Sequence, residues 1–599
     1  MPSLTSAVSI VANQLALPTL DNLRISLSPH VDVQAVASQW FSSFQKAMQS
    51  KNVPAVIDLL VDDIFWRDML ALIWDFYTFQ SAPSVSKFLT DQLPLFSLTS
   101  FAFRKDLVEL QRPYPDLAWI QAFFDFETTV GLTSGVFQLV PLADGSWKAH
   151  TVFTNLEDLK GFPERTGPGR EFQPNWAAKR AREIEFVDVE PSVIVTGVVE
   201  KNERIGDNWR KRLCSAVPPR FRYDHMPYIP FPTSWPVYTP VLKLADWLES
   251  YAHCMELNVW TNATVVFVVP GTKGNKWCVL VQRADGRKRT FEVNHVMFAL
   301  GFGNGVGRIP DILGQDEFKG QILHSSKHKF AADHAGTKVA VVGACSSAHD
   351  ICADYVENDV TMVQRSPSYI MSTEGMLRLF SIFWEGGPPT DIADRASASY
   401  SNKLLKLVHQ RITKDIAEAD KRATNYLQSH LIEKRSRELL EGLRKRVFKT
   451  TLGGDDAGVL LMTRSKVISH ALDVGASQLI IDRKIKLKSD GPIKCFTPTG
   501  LLFEDGSTID ADVILFANGY ADGRTSYREL LPESLHDKVR PIWGLDAEGE
   551  LNGAWREVGM RDEEGEALSG IWSMMGSLGL CRFHSKHLAL RESLFSLFV

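Results

Sequence analysis

Paired cysteines are missing from this chain. Its seven cysteines (Cys214, Cys254, Cys278, Cys345, Cys352, Cys495 and Cys581) stand singly, and none forms a CxxC pair. That excludes a zinc site of ordinary thiolate spacing, and the odd count fits reduced thiols better than a disulfide frame. Long apolar runs are missing as well, since no stretch approaches the roughly 20 residues of a membrane span. The N-terminal MPSLTSAVSIVANQLALPTL has no basic n-region, so no signal peptide is expected and the expected compartment is cytoplasmic. Positive charge is in deficit: 66 Lys and Arg stand against 71 Asp and Glu, for a net charge of -5. With no basic stripe interleaved with aromatics, no nucleic-acid partner and no membrane partner are expected. What is present is an ordinary globular composition, 44% hydrophobic and 23% charged. At 599 residues it is too long for one core, so two or more domains are expected.

Residues 1–33 lack clear periodicity and read as an arm. VASQWFSSFQKAMQ has helical spacing, VPAVIDLLVDDIFWRDMLAL passes from helix to strand, and SAPSVSKFLTDQL reads as a second helix. LAWIQAFFDFET and GLTSGVFQLVPLADGSWKAHTVFTNLEDL are β-rich, and the ADG between two apolar runs signals a hairpin. Helices followed by a curved antiparallel sheet resemble the NTF2-like (SnoaL-like) α+β cone, on the strength of FWRDMLALIWDF and GSWKAHTVFTNLEDL. Residues 34–157 are assigned to it, as a candidate homodimer element. Asp68 and Asp75 are candidates to line such a cone, with a structural role the favoured reading. Residues 158–187, rich in Gly, Pro and charge, read as a linker. Beyond them short β-branched runs alternate with helical segments, the pattern of α/β parallel sheets.

The clearest chemical signal is TKVAVVGACSSAHDICADYVENDVTMVQRSPS. A buried-strand pattern ends at Gly343, and the segment through Cys345, Ser346, Ser347 and Ala348 opens a helix. A tight turn at a helix N-terminus offers free backbone N–H groups and the positive dipole end to a pyrophosphate. The fingerprint is degenerate, with Cys345 at the second glycine position and Ala348 at the third. Where an acid would select a ribose 2′-hydroxyl, the chain has Arg365 and Ser366, which favours NADPH over NADH.

FKGQILHSSKHK carries Phe318, Gly320 and His324 at the positions of the FxGxxxH pattern. DADVILFANGY, with Ala517 and Gly519, resembles the ATGY element, Asn518 replacing threonine; NHVMFALGFGN, with Gly301, resembles its counterpart closing a flavin domain. In this order, the motifs resemble the flavin-containing monooxygenases, over roughly residues 188–591, in their fungal two-domain type. The resemblance implies FAD and NADPH as cofactors, molecular oxygen as co-substrate and transfer of one oxygen atom to a small organic substrate. It implies FAD binding along GVVEKNERIGDNW, with Gly197 and Lys201 among the cofactor-binding residues, Glu200 toward the adenosine ribose hydroxyls, Gly206 at a close approach and Trp209 near the flavin. No catalytic acid or base is assigned, and His324 is read as structural.

One junction departs from that pattern. In VIVTGVVEK, Gly197 is followed almost at once by Glu200, whereas a parallel crossover with its helix takes about 10–12 residues. The alternation predicts one continuous strand and no pyrophosphate cradle. The mismatched patches RLCSAVPPRFRYDHMPY and LLMTRSKVISHALDVGAS fit a mis-spliced gene model. The fold expected is thus α/β, with two dinucleotide-binding (Rossmann-like) domains, the first incomplete. Residues 188–310 and 501–599 are assigned to the FAD domain and 311–500 to the NADPH domain. The function expected is an FAD/NADPH monooxygenase. The alternative is an FAD-deficient ligand- or NADPH-binding protein.

Overall fold

The computed structural model describes residues 16–28, 30–164, 175–187, 189–197, 199–211, 223–236, 238–272, 276–301, 307–373, 387–411, 431–456, 458–465, 470–520, 522–559, 561–562, 565–566 and 568–598. The mismatched stretch from Leu213 to Arg222, much of the linker and most of GFGN lie outside the described residues. The chain divides into two units. One comprises Met1–Pro163, Arg395–Ile412 and Glu548–Glu550; the other comprises Glu164–Asp394, Thr413–Ala547 and Leu551–Val599.

In the first unit, Asp32 caps helix α1 (Val33–Gln49) by accepting from the Ala35 N–H at 3.0 Å. Its buried residues Ala37, Trp40, Phe41, Phe44, Ala47 and Met48 recur at helical spacing and form one apolar stripe. Asn52 caps the short α2 (Val53–Ile57) in the same way, and α3 (Ala82–Gln92) follows. The strands are β1 (Leu60–Met69), β2 (Phe76–Gln80), β3 (Thr99–Tyr114), β4 (Leu117–Glu127), β5 (Gly131–Pro141) and β6 (Trp147–Leu159). They form one sheet in the order β2-β1-β6-β5-β4-β3, antiparallel except where β1 runs parallel to β6. β4 is buried along nearly its whole length because both faces are covered. Ile120, Ala122, Phe124 and Phe126 pack with the residues of α1 to α3, while Leu117 and Trp119 pack with Leu17, Phe65, Val140 and Leu404.

The space between the helices and the sheet is filled by rings: Trp40, Phe41, Phe44, Phe124 and Phe137 stack or tilt at centroid distances of 4.5 to 6.4 Å. Asp68 is fully buried and accepts from the N–H groups of Leu72 and Ile73, at 3.1 Å each, and from the Thr154 hydroxyl at 2.5 Å. It closes the turn after β1. Burial raises its pKa to about 7, against the lowering effect of these bonds.

In the second unit the strands that position the site are β7 (Val193–Val195), β8 (His295–Phe298), β9 (Gln321–His324), β10 (Lys338–Val342), β11 (Asp359–Val363), β12 (Tyr369–Ser372), β13 (His470–Asp473), β14 (Lys486–Lys488), β15 (Val513–Phe516) and β16 (Ile571–Ser573). Five make a parallel sheet, β9-β15-β10-β11-β14, and three make a second, β16-β8-β7. Helix α4 (Ser346–Asp354) crosses from β10 to β11. The apolar runs of β10 and β15 are buried on both faces, as parallel strands require. The pairing moves one boundary: β15 lies inside the five-stranded sheet, between β9 and β10, so a division at residue 500 separates strands that share hydrogen bonds. Sequence order hid this because a parallel sheet takes strands from distant segments. No described helix is long and apolar enough to cross a membrane.

Candidate nucleotide site

The chain leaves β10 on one side, through α4 to β11, while β15 flanks β10 on the other. The carboxyl ends of β10 and β15 therefore border the crevice where a doubly wound sheet receives a ligand. Gly343 stands there with φ +142°, and a Cβ on it would collide with the Ala517 carbonyl oxygen. Its N–H donates to Val363 at 2.9 Å, and the Ala517 N–H donates to Val342 at 2.8 Å. Only glycine meets both demands, a left-handed φ and backbone contact.

Cys345 caps α4 without a side-chain bond to the helix. The first intrahelical acceptor is its own carbonyl, which takes the His349 N–H at 3.0 Å. The N–H groups of the preceding turn thus point out of the N-terminus with the positive end of the helix dipole. The Cys345 thiol lies 3.8 Å from the Ser368 hydroxyl, and burial raises its pKa, so it enters the turn as a neutral group. The Ser346 hydroxyl donates to the His470 carbonyl at 3.0 Å and accepts from Leu472, tying the turn to β13. Ser347 is exposed beside it, and Ala348 is fully buried against the sheet. Arg365 and Ser366 follow β11 and are exposed. This set fits a pyrophosphate on the turn and a phosphorylated ribose beyond β11.

Phe318, Gly320 and His324 build structure next to the crevice. Phe318 packs in the core with Phe496 and Phe516, and Gly320 lies against the Phe318 ring, where a Cβ has no room. His324 is 3% exposed; its Nε2–H donates to the Gly519 carbonyl at 3.0 Å, while Nδ1 accepts from the Ser326 N–H at 3.1 Å. Burial lowers its pKa, so it stays neutral and braces the ANGY corner, where Gly519 has φ +87°.

The chain following β7 in the second unit is built differently from its sequence pattern. β7 ends at Val195, and the Val199 N–H donates back to the Val195 carbonyl at 3.3 Å, so the expected continuous strand is replaced by a tight turn. The reason is pairing: β7 pairs with β8, whereas Val199 bridges Trp260, and the chain must turn between them. Gly197 sits in that turn against Ala299. The Glu200 carboxylate, expected to face a ribose, accepts from the backbone N–H and side-chain amide of Asn202 at 2.7 Å each. Lys201 is exposed. Gly206 (φ +88°) backs onto Ala245, and Trp209 packs with Phe231, Leu244, Trp247 and Tyr251. Gly301 has φ +66° and open space around its Cβ position. Among the described residues the first helix after β7 is the four-residue Asp207–Arg210, with Gly206 as its N-cap, and it does not start directly at the strand's end. No group of acids, histidines and cysteines suited to a metal occurs among the described residues.

Gln364 and Lys449 escaped the sequence reading. Gln364 carries a signal, a polar residue closing a buried strand just before Arg365. Lys449 carries none, because 84 residues separate it from Arg365.

Residues 223–393 match the flavin-binding monooxygenase-like (FMO-like) family model. A probable indole-3-pyruvate monooxygenase YUCCA8 of Arabidopsis thaliana is 23% identical over 329 residues, 54% of this chain and 68% of the relative. The FAD-containing monooxygenase EthA of Mycolicibacterium smegmatis is 25% identical over 270 residues, 44% of this chain and 51% of the relative. A solved flavin-containing monooxygenase from Stenotrophomonas maltophilia aligns at a TM-score of 0.42 with 15% identity, covering 68% of this chain and 98% of the other.

Proposed function

We propose that this chain, related through its second unit to the flavin-binding monooxygenase-like proteins, is an oxidoreductase of the FAD- and NADPH-dependent monooxygenase type acting on a small organic substrate. FAD and NADPH are the cofactors this relationship brings, and molecular oxygen is the co-substrate. The observation that carries the reading is Gly343, whose backbone closes on Ala517 at the switch point between β10 and β15. The turn and the first N–H groups of α4 hold the pyrophosphate, and Arg365 and Ser366 meet the 2′-phosphate. NADPH supplies the reducing hydride when bound. His324 keeps the corner at Gly519 in register with β9. The six-stranded sheet with three helices supports the NTF2-like reading of the first unit, a candidate dimerisation element.

A second reading is favoured by the turn at Val195–Val199: a protein that takes NADPH without flavin. The visible spectrum of the purified chain, before and after adding FAD, separates the two. Flavin absorbance that stays with the protein through gel filtration supports the monooxygenase. Its absence, with NADP+ binding retained, supports the second reading.

A further inference from the structure

We propose that His334, Tyr355 and His328 form a proton relay, a pH-sensitive device that carries a proton from the surface to the buried His328 beside Asp354 at the carboxyl end of α4. His328 and His334 come from the connection between β9 and β10, and Asp354 and Tyr355 from the end of α4, away from the turn at Gly343. The Tyr355 ring is fully buried in the core with Val339 and Ile351, and its hydroxyl lies between the two imidazoles. The oxygen is 2.6 Å from His334 Nδ1 and 3.2 Å from His328 Nδ1. The outer ring nitrogens are held as well. His328 Nε2 is 3.3 Å from Asp354 Oδ2, and His334 Nε2 is 2.9 Å from Oε1 of Gln321, at the start of β9.

The chemistry of the partners gives each bond its direction. A carboxylate only accepts, so His328 Nε2–H donates to Asp354, which also accepts the Ala331 N–H at 2.9 Å. Burial lowers the His328 pKa, against the raising effect of Asp354 and Asp333, so Nδ1 is bare and accepts the Tyr355 O–H. That hydroxyl has one hydrogen, so its oxygen accepts from His334 Nδ1–H. His334 Nε2, on a partly exposed ring, is then the nitrogen open to a proton. The Gln321 amide serves it in both states, donating through its NH2 to the bare nitrogen and accepting through Oε1 from the protonated one.

A proton that arrives at His334 Nε2 lets each hydrogen move along by one bond. The His334 Nδ1–H breaks as its proton passes to the Tyr355 oxygen, and the Tyr355 O–H breaks as its proton passes to His328 Nδ1. His334 ends neutral, with Nε2–H toward Gln321; Tyr355 keeps one hydrogen; the charge rests on His328 against Asp354. Burial pushes the Tyr355 pKa up to about 12, so the phenol carries the proton and is not itself ionised. The charged groups that face the relay are Asp333 and Asp354, and each imidazole opposes a charge on the other, so it takes up one proton. Charging His328 makes its bond to Asp354 charge-assisted, which tightens the tie between the β9–β10 connection and α4 as pH falls.

The test is a pH titration of the full chain with isotope-labelled histidine rings, followed by NMR. The two signals are identified by their loss in His328→Gln and in His334→Leu. In the wild type both rings should respond to one protonation step between about pH 5 and 8, because the sites share a proton. Tyr355→Phe keeps the ring in the core and removes the carrier. The His328 midpoint should then fall by about one pH unit or more, the worth of one hydrogen bond to a charged group. His334→Leu should lower the His328 midpoint as well, because the Tyr355 O–H loses the acceptor it needs once His328 is charged. Two imidazoles that merely repel would give the opposite sign, since removing His334 would then raise the His328 midpoint. A His328 signal that does not titrate in the wild type, or a midpoint unchanged or raised in His334→Leu, overturns the relay. Should Tyr355→Phe fail to fold, the sign of the shift in His334→Leu decides.

Discussion

Arg67 and Glu550 lie 483 positions apart in the chain yet face one another inside the first unit. The Arg67 Nε donates to Glu550 Oε1 at 2.7 Å, its Nη2 to Oε2 at 2.5 Å and its Nη1 to the Ala398 carbonyl at 2.6 Å. The Thr78 hydroxyl donates to the same carboxylate at 2.7 Å. Arg67 is 8% exposed and Glu550 2%, so solvent screens neither charge well. Arg67→Met keeps most of the side-chain volume but leaves a buried carboxylate without its cation. Loss of one partner of a buried pair costs about 3–5 kcal/mol, a large share of the roughly 5–15 kcal/mol by which domains are stable. With a urea m-value of about 1–3 kcal/mol/M, the unfolding midpoint should fall by about 1 M or more. Tryptophan fluorescence of the full chain reports it, since Trp40 and Trp66 lie in this unit's core. Arg67→Met with Glu550→Leu should recover most of the loss, because an apolar replacement of a buried pair is nearly neutral. About 1 kcal/mol should remain for the Thr78 hydroxyl left without its acceptor. A single variant that melts like the wild type, or a double variant no better than the single, would refute the clamp.

Three further outcomes are expected. Asp68 has a folded-state pKa raised to about 7 by burial. Its unfolded value is about 4, so its proton-linked stability is full below that pH and is lost as pH rises toward 7. Asp68→Asn should abolish that slope, and urea midpoints that decline in parallel for both proteins between mildly acidic and neutral pH would contradict it. Gly343→Ala forces a Cβ onto the Ala517 carbonyl at φ +142°. The strain, about 1–3 kcal/mol, should appear as a lower melting temperature together with a loss of NADP+ binding. Binding at wild-type affinity would show that the turn does not carry the nucleotide. Arg365→Ala should weaken NADP+ by more than about tenfold with little change for NAD+, and equal losses in a titration would remove its role at the 2′-phosphate.

Several features were legible because they are local. Helical spacing over Val36–Gln49, the ADG hairpin between β5 and β6 and the strand–turn–helix–strand of β10, α4 and β11 each rest on contacts between near neighbours in the chain. Gly343 was legible for the same reason, since a turn that enters a helix needs a residue free to adopt positive φ. The turn at Val195–Val199 was misread because alternation records which side chains are apolar, not which strand they pair with.

The sequence by itself determined that a parallel α/β half follows an α+β half, that a glycine turn opens a helix, and that Arg365 follows the second strand. Tertiary structure alone decided the rest. It placed β15 between β9 and β10, gave the Glu200 carboxylate to Asn202, delivered Lys449 to Arg365 through Gln364, and returned Glu550 to Arg67. The physical reason is common to all four: each depends on which distant segments share a sheet or a hydrogen bond, and neither propensity nor periodicity encodes that partner.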